Sequence, residues 1–124
     1  LHYQLPPHEQ GKLVRVVTGR VWDVAVDIRR SSPHFGQWVG YELSAENGTM
    51  LWVPPGFAHG FVALEDDTHL TYKCTGEYHR DSERSIVWDD PDLAIDWPLP
   101  DGLQAQLSTK DAAAGPFADA EVFG

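Results

Sequence analysis

Apolar and polar residues alternate along most of this chain with a period of two, the spacing of strands with two different faces. In Val21–Ile28, Trp22, Val24, Val26 and Ile28 fall on one face and Asp23, Ala25 and Asp27 on the other. Lys12–Val17, just upstream, is β-branched and bounded by Gly11 and Gly19, which predicts another strand. With Thr18-Gly19-Arg20 as a turn, these two segments are expected to form a hairpin. Further strands are expected over Gln37–Ser44, with Val39, Tyr41 and Leu43 on one face, and over Met50–Val53, Phe61–Leu64, His69–Thr75 and Ser85–Trp88. In His69–Thr75, Leu70, Tyr72 and Cys74 share a face expected to be buried. Glu46-Asn47-Gly48 and Glu65-Asp66-Asp67-Thr68 supply turns. Beyond Asp89-Asp90-Pro91-Asp92 the alternation weakens; Ser108–Ala114 predicts a short helix, and Gly115–Gly124 a ragged terminus. Many short, evenly spaced strands with Gly/Pro turns predict an all-β sandwich or jelly-roll barrel. Residues 1–124 form a single domain in this reading, with no repeat and no linker.

Composition narrows the class. At 124 residues and 42% hydrophobic, the chain can build a core of its own. Its net charge of −10 speaks against nucleic acid or an anionic membrane surface as a partner. An anionic ligand would need a local cationic pocket. The one cysteine, Cys74, leaves no intrachain disulfide and agrees with a cytoplasmic location. No apolar run approaches the roughly 18 residues of a membrane-spanning helix. Leu1-His2-Tyr3-Gln4 begins in the middle of an apolar pattern, so an N-terminal portion is expected upstream.

The most heavily braced segment is Gly48-Thr-Met-Leu-Trp-Val-Pro54-Pro-Gly56-Phe-Ala-His59-Gly-Phe61. Two prolines fix φ and remove donors, and Gly56 supplies the freedom that a reversal needs. His59 follows among the apolar residues Trp52, Val53, Phe57 and Phe61, either as a site residue or as one that packs near the turn. The spacing Gly48-x5-Pro54-x-Gly56-x2-His59 resembles the second motif of the cupin superfamily, which is a jelly-roll family. A metal-binding cupin usually adds His-x-His with a following Glu. Here only His2-Tyr3-Gln4 stands as a candidate, and Ala63 occupies the place of a usual Asn. A zinc or iron site needs three or four convergent ligands, so a metal is disfavoured.

Further segments carry a denser resemblance: Leu1-His2-Tyr3-Gln4, Gln10-Gly11-Lys12-Leu13-Val14-Arg15, Val24–Arg29, Phe35-Gly36-Gln37-Trp38, Leu43–Asn47, Pro55–Phe61, Tyr72-Lys73 and Lys110-Asp111-Ala112-Ala113. In this order and spacing, from Leu1 to about Ala114, the chain closely resembles the dTDP-4-dehydrorhamnose 3,5-epimerase family. The resemblance implies a cupin-like jelly roll acting on dTDP-4-dehydro-6-deoxy-D-glucose in dTDP-L-rhamnose synthesis. It implies a homodimer and no cofactor. It also implies that an upstream part, with an Arg before Leu1 and segments exchanged across the dimer, is missing, so weak or absent activity is expected of the 124 residues alone.

Inverting a carbon beside a ketone takes a base, an acid on the opposite face and a stabiliser for the enolate. By resemblance His2 is the base, and an imidazole with an ordinary pKa of about 6.5 suits that task. Asp111 is implied as the carboxylate that fixes the His2 tautomer. Ser108-x-x-Asp111 also reads as a helix cap, and both roles can hold at once. Lys12 is implied at the enolate oxygen and Tyr72 as the acid. On pattern alone, these two are equally a strand-end lysine and a core tyrosine. His59 would assist near O4 or a hydroxyl, with Asp23 orienting it. Gln4, Tyr78, Glu83 and Lys110 are implied around the substrate, against the plainer reading of a solvated surface for the last three. Arg15 and Arg84 are candidates for phosphate without a fixed place. Three alternatives stay open: an epimerase of a single carbon (C3 or C5), a metal-dependent cupin enzyme and a sugar-binding module without catalysis.

Overall fold

The computed structural model describes all residues from Leu1 to Gly124. Eight strands run β1 (His2–Gln4), β2 (Lys12–Thr18), β3 (Arg20–Asp27), β4 (Trp38–Ser44), β5 (Met50–Val53), β6 (Phe57–Ala63), β7 (His69–Cys74) and β8 (Glu83–Ser85). They form two antiparallel sheets, one of five strands in the order β4-β3-β6-β1-β8 and one of three in the order β5-β2-β7. A single short helix, α1 (Thr109–Ala112), lies in the C-terminal tail. No helix is long and apolar enough to cross a membrane.

The expected hairpin between Lys12–Val17 and Val21–Ile28 does not form. β2 pairs with β5 and β7, whereas β3 pairs with β4 and β6. A register shift between Val16 and Thr18 and a φ of +84° at Gly19 turn the chain out of one sheet and into the other. Gly19 also packs against Thr68, where an added Cβ would lie 2.4 Å from Oγ1.

β3 explains why its neighbours are so apolar. Val24, Val26 and Ile28 enter a cluster with Leu1, Tyr3, Ala58, Ile86 and Leu93 on the outer side of the five-stranded sheet. Val21 and Ala25 enter a second cluster between the sheets with Val14, Val16, Leu43 and Val53. A strand covered on both faces has no solvent side, so the face carrying Asp23 and Asp27 is interior and not polar surface. Each fully buried valine contributes about 1.5–3 kcal/mol of transfer free energy.

Several boundaries differ from the expectation. His59 lies inside β6, which starts at Phe57 immediately after the proline turn and not at Phe61. The last strand is Glu83–Ser85; of Ser85–Trp88 only Ser85 belongs to it, and Ile86 makes an isolated bridge to Gly115. Leu1-His2-Tyr3-Gln4 supplies a strand, β1, that the alternation alone does not declare. Gly115–Gly124 is ordered against the sheet: Phe123 bridges to Arg29, Phe117 and Val122 cover the outer cluster, and the Tyr3 hydroxyl donates to the Glu121 carbonyl at 2.5 Å.

Candidate active site

The site is built on the face of β1 opposite the outer cluster. Leu1 and Tyr3 are buried outward, so alternation turns His2 and Gln4 inward. His2 stands directly opposite His59 in the β1–β6 pair, and His59 stands opposite Ala25 in the β6–β3 pair. Asp23, two residues before Ala25 on the same face of β3, reaches the buried His59. There His59 Nε2 hydrogen-bonds Asp23 Oδ1 at 2.6 Å. Asp23 is fully buried, and its Oδ2 has no hydrogen-bond partner.

His2 has a carboxylate of its own. Its Nε2–H donates to Asp111 Oδ1 at 2.5 Å. Asp111 arrives from α1, where its backbone N–H donates to Ser108 Oγ at 3.1 Å. The cap and the histidine contact therefore coexist, as both readings of Ser108-x-x-Asp111 require. Burial holds the His2 imidazole below its ordinary value against the opposing pull of Asp111. Burial pushes the Asp111 carboxyl up, but the His2 hydrogen bond and charge outweigh it and leave it below the usual carboxylate range.

The second sheet contributes from across the interior. Lys12 opens β2 opposite Val53 and Cys74, on the inward face shared with Val14 and Val16. Burial lowers the Lys12 ammonium, offset in part by the charges of Cys74, Glu83 and Asp23. Its Nζ lies 5.8 Å from the centre of the Tyr72 ring. Tyr72 does share a face with Leu70 and Cys74, but that face is not buried at this end. The Tyr72 side chain is open to solvent at the mouth between the sheets, at 54% exposure.

Glu83 in β8 joins the rest. Its Oε1 accepts from Lys110 Nζ and lies 3.6 Å from His2 Nδ1, while Oε2 accepts from the Tyr78 hydroxyl at 2.6 Å. Burial opposes its ionisation, but the bonds from Lys110 and Tyr78 carry the carboxyl below its ordinary value. Gln4 is engaged elsewhere: its Nε2 donates to the carbonyls of His8 and Glu77, and its Oε1 accepts the His79 N–H. Gln4 thus clamps the loop that carries Tyr78. Arg84 pairs with Glu121 on the face of Tyr3, and Arg15 lies on the outer face of β2 opposite Met50 and Thr71, so neither joins the cluster. Trp52 is on that outer face too, opposite Leu13, and not around His59; Phe61 is the ring beside His59, at 6.3 Å between centres.

A groove of about 840 Å³ opens beside the site, lined by Phe61, Trp88 and Trp97 and touching it at His2, His59 and Asp111. Lys12, Tyr72 and Glu83 lie outside that groove, so the candidate site is marked by converging charge and not by that concavity. No three histidine, cysteine or carboxylate groups converge as ligands for a metal ion. The contact between Glu83 and His2 was not readable in the sequence, because nothing in the spacing of two distant strands announces their pairing.

Two facing antiparallel sheets around paired histidines and carboxylates, with a lysine between them, define a cupin-like jelly roll with a partly buried polar cluster at its interior. A family model described as dTDP-4-dehydrorhamnose 3,5-epimerase matches residues 1–119. The chain belongs to that family. The enzyme of this name from Shigella flexneri is 54% identical over 123 residues, covering 99% of this chain and 66% of its own length. The one from Pseudomonas aeruginosa is 55% identical with the same coverage. A crystal structure of dTDP-6-deoxy-D-glucose-3,5-epimerase from Legionella pneumophila, in complex with dTDP-4-keto-L-rhamnose, superposes with a TM-score of 0.91 at 56% identity, covering 98% of this chain and 63% of that one. The chain thus spans slightly less than two thirds of the length of the proteins it matches.

Proposed function

We propose that this chain carries the epimerase site for C3 and C5 of dTDP-4-dehydro-6-deoxy-D-glucose, giving dTDP-4-dehydro-L-rhamnose. The observation that carries the reading is the pair formed by His2 of one sheet and Asp111 of α1, facing an interior where the other sheet brings Lys12 and Tyr72 together. The C4 ketone acidifies the protons on its neighbouring carbons. His2, neutral and oriented by Asp111, takes such a proton at Nδ1, its nitrogen without a carboxylate bond. The electrons move onto O4, where the Lys12 ammonium, and His59 held by Asp23, stabilise the charge. Tyr72 returns a proton from the opposite face, and its open hydroxyl regains one from water. The proton transfers balance without an oxidant or reductant.

Tyr78, Glu83 and Lys110 stand at the rim, where they meet the remainder of the substrate. Lys12 and Lys110, each within reach of Glu83, supply the positive charge that a diphosphate needs in a chain of net charge −10. A homodimer in the cytoplasm completes the proposal. It is supported by the family membership and by a free, exposed Cys74 that needs no oxidising compartment.

Incubation with the sugar nucleotide in deuterated water tests the reading, with this chain and with a form extended to the length of its relatives. Deuterium at both C3 and C5 is the expected result. Exchange at one carbon alone would make it a single-carbon epimerase. No exchange by the extended form would overturn the proposal.

A further inference from the structure

We infer that Glu83 is the proton exit of His2, resetting the base between two successive proton abstractions. The inference rests on the two-carbon epimerisation proposed above. With Nε2–H committed to Asp111, the abstracted proton can reside only on Nδ1. The acidic oxygen within 4 Å of that nitrogen, apart from the Asp111 contact on Nε2, is Glu83 Oε1 at 3.6 Å.

A single base serving two carbons meets a problem that a base serving one does not. After the first inversion His2 is an imidazolium and Tyr72 has lost its proton. The second abstraction cannot start until His2 is neutral again, while the same substrate still occupies the site. Tyr72 is exposed and exchanges with water directly. The His2 side chain is 30% exposed, and in the proposed complex the substrate covers the Nδ1 that takes its proton, so the route to water there runs through a neighbour.

Glu83 has the required shape. Its side chain is only 16% exposed, which keeps it ordered against His2. Its other contacts, the Tyr78 hydroxyl and Lys110 Nζ, are on exposed side chains, so the cluster leads outward to solvent. In the first half-reaction the substrate C–H bond breaks, its electron pair stays in the enolate and an Nδ1–H bond forms. That proton then leaves Nδ1 for Glu83 Oε1 and passes on to water, restoring the lone pair of Nδ1. Lys110 and Tyr78 keep the carboxylate ionised and ready to repeat the transfer. Glu83 is thus a positioning residue that acts through His2.

Two measurements test this. The first needs no turnover: in labelled extended protein saturated with dTDP-L-rhamnose, which has no C4 ketone to react, the exchange of the His2 Nδ1 proton with water is read by NMR below neutral pH. Glu83→Gln is expected to slow it by about 10²-fold, the low end of what a positioned proton carrier contributes. Glu121→Gln, which removes an equal charge outside the cluster, should leave the exchange fast. Unchanged exchange in Glu83→Gln overturns the inference. The second is the product mixture of the extended form: Glu83→Gln should accumulate sugar inverted at a single carbon, at the expense of the doubly inverted product. A higher KM with an unchanged product ratio would make Glu83 a binding residue only and also overturn it. If the unaltered enzyme inverts neither carbon, the proposed function falls, and the NMR experiment still decides whether Glu83 carries the His2 proton.

Discussion

His2 and His59 stand face to face across the β1–β6 pair, and each is hydrogen-bonded through Nε2 to an aspartate of its own, Asp111 at 2.5 Å and Asp23 at 2.6 Å. Antiparallel register alone brings the two rings together, while the aspartates come from unrelated parts of the chain. The pairs are expected to differ in what they do. Asp111→Asn removes the acceptor that fixes the His2 tautomer and should lower the exchange rate at C3 and C5 by about 10²-fold or more. Asp23→Asn should show a smaller loss of rate together with a loss of stability, since Asp23 is fully buried and His59 would face an amide. Deuterium wash-in and thermal unfolding of the two variants check this.

The pH dependence follows from the direction of the His2 shift. Burial holds the imidazole below its ordinary value of about 6.5, so the folded state favours the neutral base. Proton abstraction should rise with pH through a midpoint below 6.5 and then level off. The stability that this group contributes is full above 6.5 and is lost as pH falls through the folded midpoint. A pH–rate profile with a limb centred above 6.5 would contradict the geometry.

Lys12→Met should cut turnover by about 10²–10³-fold, as expected for removing one charge from an enolate, with little change in the unfolding temperature. The ammonium is desolvated and bears a cost in the folded state, so its loss does not weaken the barrel. Steady-state kinetics beside calorimetry separate the two effects.

Asp27 and Arg29 should govern acid stability. Asp27 accepts from Arg29 Nε at 3.0 Å and Nη2 at 2.9 Å and from the Ser32 hydroxyl at 2.6 Å. The guanidinium holds its carboxyl down to about 2. This stability is present above the unfolded value of 3.8 and is lost as pH falls toward 2. Solvent reaches Arg29, so the screened contribution is about 1–2 kcal/mol. Asp27→Asn should lower stability by that amount at pH 7 and by almost nothing near pH 2, as read from denaturant midpoints.

Gly40→Ala should destabilise the edge of the five-stranded sheet. A Cβ there would fall 2.0 Å from Cζ2 of the Trp22 indole, which itself packs edge-on against Trp38 and Trp97. A loss of about 1–3 kcal/mol, with the register of His2 and His59 unchanged, is the expected result in unfolding and NMR.

The fold class was legible because period-two alternation and turn chemistry act locally. Met50–Val53 and the Ser108 cap stand where the residues themselves put them. The false hairpin between β2 and β3 shows the limit: two adjacent strands can belong to different sheets when a bulge and a positive φ intervene, and no local pattern states which. Asp23 illustrates a second limit. Alternation gives its face but not whether that face meets water, and cover from a distant sheet made it interior. Tyr72 errs the other way, on an inward face left open at the mouth. His2, Lys12 and Asp111 were reached through family likeness, since their contacts span up to 109 residues and carry no periodic signal.

Asp111 belongs to neither sheet. It rides on a tail fastened by the Ile86–Gly115 bridge and by Phe117, Val122 and Phe123 on the outer cluster. The partner of His2 is therefore delivered by a segment that follows every strand of both sheets. The orientation of the His2 imidazole thus depends on the seating of that segment as much as on the sheets, and loosening its anchors at Phe117 or Phe123 would unsettle the ring from a distance.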